Sequence, residues 1–478
     1  MDHTTPTTQD DLAPIPASNA PLHCALVVAW CPGTQHLGSV SLFPRGSTPR
    51  VLGRGVSTGA GDERVVFHEQ RPGAFHPLPP LSQRWLSRRQ LLIVPGDQGL
   101  RIENLGKAKL LLNGAPTRQA EVRPGDSLRV GSQLLLYCTL RPTHVPMLRS
   151  YPQTCLGKIG APDAHGLIGE SPGMWRLRDQ AALVANAPGH ALILGESGTG
   201  KEHVARMIHE LSARRGRKLV SRNAATFPAT LIDAELFGNE RNFPNPSMAA
   251  RPGLVGEADG GSIFLDEIAE LPEELQAHLL RVLDSHGEYQ RLGATRRERS
   301  DFRLICATNR IPESLKHDLL GRLTLRVETP ALAERREDIP FLLLHLLERA
   351  GRSTLEVRER YFDDWDGQRG TPRIDVELVE GLLMHRYRQN VRELDTLLWL
   401  SILNSPSSEL TLVDEVRARM VQSVSAVPLT AAMIRQALAR HGGNQSKTWQ
   451  ELGMPSRYAL IRAMKRFGIG GKDDDPPP

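Results

Sequence analysis

Gly195-Glu196-Ser197-Gly198-Thr199-Gly200-Lys201-Glu202 is a glycine-rich loop with a lysine near its end, a pattern suited to holding phosphate. Glycines let backbone N–H groups turn inward around phosphate oxygens. The N-terminus of a following helix adds partial positive charge, and Lys201 reaches the outer phosphates as a point charge. The expected ligand is a nucleoside triphosphate. The general pattern puts a hydroxyl residue after the lysine to hold magnesium, and that place is taken by Glu202. Alone, such a loop is as readily a tight turn or a chance match. Two further runs bear on the choice. Ser262-Ile263-Phe264-Leu265 ends in Asp266-Glu267, and Leu304-Ile305-Cys306-Ala307-Thr308 ends in Asn309. At the carboxyl end of a parallel strand, Asp266 can hold magnesium, Glu267 can polarise water for attack on a γ-phosphate, and the Asn309 amide can orient that water.

The elements that must position these groups are legible. Ala191-Leu192-Ile193-Leu194 reads as a buried strand before the loop, and Val204, Ala205, Ile208 and Leu211 give the helix after it one apolar face. Strands and helices alternate through this region as in a parallel α/β sheet.

A chain of 478 residues should hold about three domains. With 40% hydrophobic and 24% charged residues it is globular, and no run of eighteen apolar residues suggests a membrane span. The N-terminus, acidic and rich in Pro and Thr, does not read as a signal peptide. Five scattered cysteines without Cys-x-x-Cys spacing read as reduced thiols in a cytoplasmic protein, with no metal site among them. The net charge of +5 is uneven: residues 428–470 hold seven Lys/Arg against one acid, the footprint of a nucleic-acid-binding module.

Residues 1–21 read as disordered. From 22 to 141, short β-type runs are punctuated by turn signals at Pro95-Gly96-Asp97, Asn113-Gly114 and Pro124-Gly125-Asp126, which argues for a β-sandwich. Through Gly53-Arg54, Ser87-Arg88 and Asn113-Gly114 this region resembles a forkhead-associated domain, a family that recognises phosphothreonine peptides. The resemblance implies that Arg54 and Ser87 meet the phosphate, with Arg88 beside them; a forked donor and a hydroxyl suit that task. The family's histidine is replaced by Gln90, and its peptide-contacting asparagine falls among Lys107, Ala108 and Lys109. A sandwich that binds protein without phosphate is the other reading. Residues 142–165, with scattered Pro, His and Gly, read as a linker.

Residues 166–404, with a helical lid from about 336, resemble the AAA+ domain of sigma-54-dependent transcription activators. The likeness rests on Leu167-Ile168-Gly169-Glu170-Ser171-Pro172, the 195–202 loop with its glutamate, Glu235-Leu236-Phe237-Gly238, Gly260–Ile268, Arg335–Pro340 and Asn390-Val391-Arg392-Glu393-Leu394. The resemblance implies ATP and Mg2+ as ligands, with Gly195, Glu196, Ser197, Gly198, Thr199, Gly200, Lys201 and Glu202 around the nucleotide and Asp266 on the metal. It further implies that Asn223 restrains Glu267, that Arg392 reaches the nucleotide of its own subunit, and that Arg322 is an arginine finger into a neighbour's. A site completed in trans implies a ring, a hexamer in this family. The first of the paired finger arginines is Lys316 here, so slower hydrolysis is expected; a ring that binds nucleotide but barely cleaves it is the alternative.

In that family Gly-Ala-Phe-Thr-Gly-Ala forms the tip that touches sigma-54. Asn242-Phe243-Pro244-Asn245-Pro246-Ser247 stands there instead, with Phe243 one position from the expected aromatic. Losing two glycines and gaining two prolines changes what the tip's backbone can do. Residues 405–427 read as a linker and 471–478 as a tail.

Between them, residues 428–470 read as three helices, the last two a helix-turn-helix bent at Gly453 and capped by Ser456. They resemble a Fis-type module through Gly443-Asn444-x-Ser446, Leu452-Gly453 and Lys465-Arg466-Phe467-Gly468. Ser456, Arg457 and Tyr458 would approach base edges, and Lys447, Arg462, Lys465 and Arg466 would meet phosphates. The expected whole is a multidomain transcription regulator: sandwich sensor, AAA+ ATPase and DNA reader. A DNA-binding regulator whose nucleotide serves assembly alone, without engaging sigma-54, is the rival, and a protein-interaction scaffold with an accidental glycine loop the weaker one.

Overall fold

The computed structural model describes residues 21–33, 35–55, 63–228, 231–243, 245–284, 287–424, 431–452, 454, 457–467 and 469. Residues Leu22–Pro142 form two facing sheets. The larger is built around the long antiparallel pair Leu22–Trp30 and Leu134–Pro142. The smaller holds Gln119–Val122, Leu100–Asn104, Leu91–Pro95, Arg50–Leu52 and Glu63–Arg64 in that order. Inward residues alternate along the strands, as a half-buried sheet requires: Leu91 and Ile93, then Leu100 and Ile102, are all at most 2% exposed. They meet Leu26, Val28, Leu128 and Val130 from the opposite sheet. Asn113 and Gly114, both at positive φ, make the two-residue turn between Leu110–Leu112 and Ala115–Thr117.

The central domain centres on five parallel strands ordered Leu219–Asn223, Ser262–Asp266, Arg303–Thr308, Ala191–Leu194, Leu325–Glu328. Strands covered on both faces need continuous apolar runs, and Arg303–Thr308 is buried at every position. The helix Pro172–Asn186 starts with Ser171 as cap and proline in its first turn. The lid packs Ile339–Ser353, Val376–Met384 and Asn390–Asn404 around Leu343, Leu347, Leu383, Leu394 and Leu398.

Two stretches expected as linkers are more ordered than their sequences suggest. Within 142–165, Tyr151 is buried in the core of the central domain and Asp163 pairs with the Arg178 guanidinium at 2.8 Å. Within 405–427, the helix Asp414–Val424 packs on the lid through Val416. Helices Ala431–Arg440, Gln445–Glu451 and Arg457–Arg466 form the carboxyl-terminal bundle around Ile434, Leu460 and Ile469. Gly442 and Gly443, both at positive φ, end its first helix. Among the described residues the five cysteines are free thiols, no helix is long and apolar enough to cross a membrane, and no three His, Cys, Asp or Glu side chains gather as a metal site.

Candidate nucleotide site

The glycine loop joins the strand Ala191–Leu194 to the helix Lys201–Glu210, and its geometry explains its composition. Gly195, Gly198 and Gly200 all take positive φ. A Cβ at Gly195 would collide with Thr329 Oγ1, and one at Gly198 with the carbonyl oxygen of Gln389 in the lid. The Thr199 hydroxyl is held by Glu196 O and Thr329 Oγ1, both at 2.8 Å. Lys201, 6% exposed, donates from Nζ to Gly195 O and Glu196 O, each 3.1 Å away. Glu202 stands on the open face of the helix with Arg206 3.8 Å away.

Asp266 and Glu267 emerge at the end of Ser262–Asp266, beside the loop. Glu267 takes the left-handed conformation at φ 52°, unusual for a residue with a side chain, and the Asp266 carboxylate accepts its N–H at 3.0 Å. That turn aims the Glu267 carboxylate at Lys201 Nζ, 3.9 Å away, and at the Asn309 N–H, 3.2 Å away. Burial pushes the Glu267 carboxyl above its ordinary value, while Lys201 and the Asn309 N–H pull it back. Burial likewise pulls the Lys201 ammonium down, and Glu267 and Asp266 oppose that.

The lid closes over the loop. Arg392 Nη1 donates to Ser197 Oγ at 3.1 Å, and the Val391 N–H to Gly198 O at 3.1 Å. Asn390, 1% exposed at φ 52°, was not singled out as a site residue, yet its amide donates to Glu196 Oε2 and Ser197 O and accepts from the Leu332 N–H. The available signal was its type: asparagine tolerates the left-handed region better than most residues. Arg335, also missed, donates to Thr199 O at 3.3 Å and Ile168 O at 3.4 Å.

The loop, Lys201, Asp266, Glu267, Asn309 and Arg392 thus converge. Asn223 does not join them as expected. It ends its strand level with Asp266 and its Oδ1 caps the next turn by accepting the Ala225 N–H at 2.9 Å, but no hydrogen bond joins its amide to Glu267. Arg322 lies on the surface with Nε 2.7 Å from Asp284 Oδ1. Phe243, 43% exposed, lies on Gly293, between the paired strands Glu288–Tyr289 and Glu298–Arg299, and the Asn242 N–H closes the loop onto Met248 O at 2.8 Å.

A nucleotide with Mg2+ is tested by the donor set. Mg2+ takes one or two carboxylates plus phosphate oxygens and waters. Asp266 beside a glycine-cradled phosphate loop fits that requirement without a hydroxyl at position 202.

In the sandwich, Gly53 is required because a Cβ would strike the carbonyl oxygens of Ser87 and Arg88, and that close approach brings Arg54, Ser87 and Arg88 to one edge. The Arg54 N–H donates to Ser87 O at 3.1 Å, and Ser87 Oγ accepts the Lys107 N–H at 3.1 Å. Gln90 is fully buried; its Oε1 accepts the Ser87 N–H and its Nε2 donates to Asn104 Oδ1 at 2.7 Å. It therefore holds the serine in place from the position where histidine was expected. In the carboxyl-terminal bundle Lys447 is exposed, and Arg457 donates to Gln445 Oε1 at 3.1 Å. Gly453, Ser456 and the side chains of Tyr458, Arg462, Lys465 and Arg466 lie outside the described residues.

Comparison with known proteins shows what the chain resembles. The Sigma-54 interaction domain family matches residues 167–328, and the Fis family of bacterial regulatory proteins matches residues 431–467. The transcriptional regulatory protein ZraR of Escherichia coli is 35% identical over 317 residues, 63% of this chain and 68% of that protein. The Nif-specific regulatory protein of Azotobacter vinelandii is 36% identical over 318 residues, 62% of this chain and 58% of that one. The formate hydrogenlyase transcriptional activator of Salmonella typhimurium is 35% identical over 321 residues, and this chain spans 44% of its length. The crystal structure of NtrX from Brucella abortus with ADP is 31% identical, covering 64% of this chain and 70% of that one, with a TM-score of 0.45. The chain belongs to the family of transcriptional regulators that join a Sigma-54 interaction domain to a Fis-type DNA-binding module.

Proposed function

We propose that this protein is an ATP-hydrolysing, DNA-binding regulator that remodels RNA polymerase holoenzyme carrying sigma-54. The carrying observation is the convergence of Lys201, Glu267 and the Asn309 N–H beside a glycine loop that the lid covers through Arg392. In this reading Lys201 binds the outer phosphates, Glu267 accepts a proton from the attacking water, and Asn309 helps orient it. Asp266 would hold Mg2+, which neutralises charge building on the phosphates. Arg322, exposed and away from its own loop, completes a neighbour's site in a ring, a hexamer by resemblance. The basic carboxyl-terminal bundle holds the ring at paired DNA sites in the cytoplasm.

A second reading follows from the 242–247 loop. Phe243 lies against Gly293 and the backbone closes on itself. Such a tip suits a ring that hydrolyses ATP for another partner. Capture of sigma-54 by the full chain in a transition-state-trapped form separates the two.

For the sandwich, the reading is a forkhead-associated sensor of phosphothreonine peptides. Arg54, Ser87 and Arg88 share an edge with Lys107, a donor set suited to a dianion. Arg54→Ala is expected to weaken a phosphothreonine peptide roughly 10–100-fold, the worth of a hydrogen bond to a charged group. Calorimetry with phosphorylated and unphosphorylated peptides checks this; equal affinity for both peptides would leave a sandwich that binds protein without phosphate.

A further inference from the structure

The amino-terminal sandwich grips both halves of the ATPase domain at once. On the lid, Ser127 Oγ donates to Glu380 Oε1 at 2.7 Å, and Arg129 Nε stands 3.1 Å from Glu380 Oε2. Trp30, Leu37, Leu135 and Tyr137 share one apolar cluster with Phe341 and Leu342 of the lid. Phe341 sits where a Cβ at either Gly38 of the sandwich or Gly160 of the connecting segment would strike its ring. On the base, Arg71 pairs with Glu170 at 3.3 Å, donates to Gly157 O at 3.0 Å, and lies over the Trp175 ring at 5.2 Å. Arg141, 1% exposed, bridges the two: Nη1 donates to Glu170 O at 3.2 Å, and Nη2 lies 3.2 Å from Glu337 Oε1.

From that bridge a buried polar path runs to the phosphate loop. Asp338, next to Glu337 and fully buried, accepts the N–H groups of Glu170 and Ser171 at 2.7 and 3.0 Å and the Ser171 hydroxyl at 2.6 Å. One turn earlier, Arg335 donates to Thr199 O in the loop. A nucleotide leaving the site must part the lid from the loop, breaking the Arg392–Ser197 and Asn390–Glu196 bonds. A third body fastened to both lid and base resists that parting.

We propose that the sandwich is a clasp that holds the lid against the phosphate loop, with Arg129 and Arg141 as positioning residues that set how fast nucleotide leaves. This rests on the ATP-binding reading above. A ligand that shifts the sandwich then acts on nucleotide exchange through these contacts, by the reciprocity that links any two coupled sites.

The test is stopped-flow displacement of a fluorescent ADP analogue from the full chain. Arg129→Ala and Arg141→Ala are each expected to speed dissociation about tenfold, within the usual range of coupling between sites. The chemical step in a single turnover should stay unchanged, a split that mere loss of folding does not produce. Arg129→Ala with Glu380→Gln should do no more than either alone. Arg349→Ala, which removes a lid surface pair with Asp395 outside the clasp, should leave dissociation at the wild-type rate. If Arg141→Ala fails to fold, Arg129 carries the test, since its side chain is 14% exposed and its loss leaves no sealed void. Unchanged dissociation in variants that fold and bind nucleotide overturns the clasp and leaves the ATPase reading standing. A wild-type chain that binds no analogue overturns both.

Discussion

Glu267→Gln should lower ATP turnover roughly 10²–10⁴-fold, the range for losing a general base, while nucleotide affinity stays near wild type. The substitution keeps the size of the side chain and an oxygen for the Asn309 N–H, so the left-handed turn at 267 has no reason to relax. What it removes is the ability to take a proton. A pH profile adds a second readout. Burial holds the Glu267 carboxyl above the usual carboxylate range, so the anion that acts as base is lost at a higher pH than for an exposed glutamate. Hydrolysis should therefore fall as pH drops through that raised value, and the residual rate of Glu267→Gln should lack this acid limb. Turnover within threefold of wild type would remove Glu267 from the chemistry.

Arg322→Ala should cost roughly 10³–10⁵-fold in turnover, the worth of an arginine finger, with little change in stability. Its ion pair with Asp284 is exposed on both sides, and surface pairs of that kind contribute roughly 0–1 kcal/mol. The guanidinium is exposed at the end of the short helix His317–Arg322, and a second subunit would have only the surface pair with Asp284 to displace. Mixing decides whether it acts in trans. Arg322→Ala subunits keep an intact pocket, and Glu267→Gln subunits keep an intact finger. Mixed, the two inactive proteins should regain activity where a working finger meets a working pocket. No recovery, in mixtures shown by light scattering to co-assemble, would put Arg322 to work within its own subunit.

The parts legible in the sequence were those whose chemistry is local. A glycine loop between an apolar strand and an amphipathic helix is specified over about twenty residues, and Asp266, Glu267 and Asn309 are read by following apolar runs to their ends. The bundle of 431–467 is read the same way, from helical spacing and a pair of glycines. What depended on distant partners was not legible. Ser127 and Glu380 are polar residues of a strand and a helix 253 positions apart, and their buried hydrogen bond could not be read from either segment alone. Asn390 lay inside a quoted motif, but its bonds to Glu196 and Ser197 span nearly two hundred residues of chain. The resemblance pairs Asn223 with Glu267, but in the structure its oxygen caps a local turn through the Ala225 N–H and its amide does not reach Glu267. The 142–165 stretch lacked periodicity because it is pinned one residue at a time, through Tyr151 and Asp163, rather than along a face.

Contact with sigma-54 is the central claim, because residues 242–247 lack the Gly-Ala-Phe-Thr-Gly-Ala tip that the resemblance to sigma-54 activators leads one to expect. The measurement is native-gel capture of purified sigma-54 by the full chain with ADP and aluminium fluoride, beside ADP alone and a Lys201→Ala control. Phe243 keeps 43% of its surface exposed, so an apolar edge remains for a partner. The predicted result is a complex in the trapped state only, lost in Lys201→Ala. Steady ATP hydrolysis with no sigma-54 complex in any nucleotide state would rule out sigma-54 remodelling and leave a motor and DNA reader that serve a different partner.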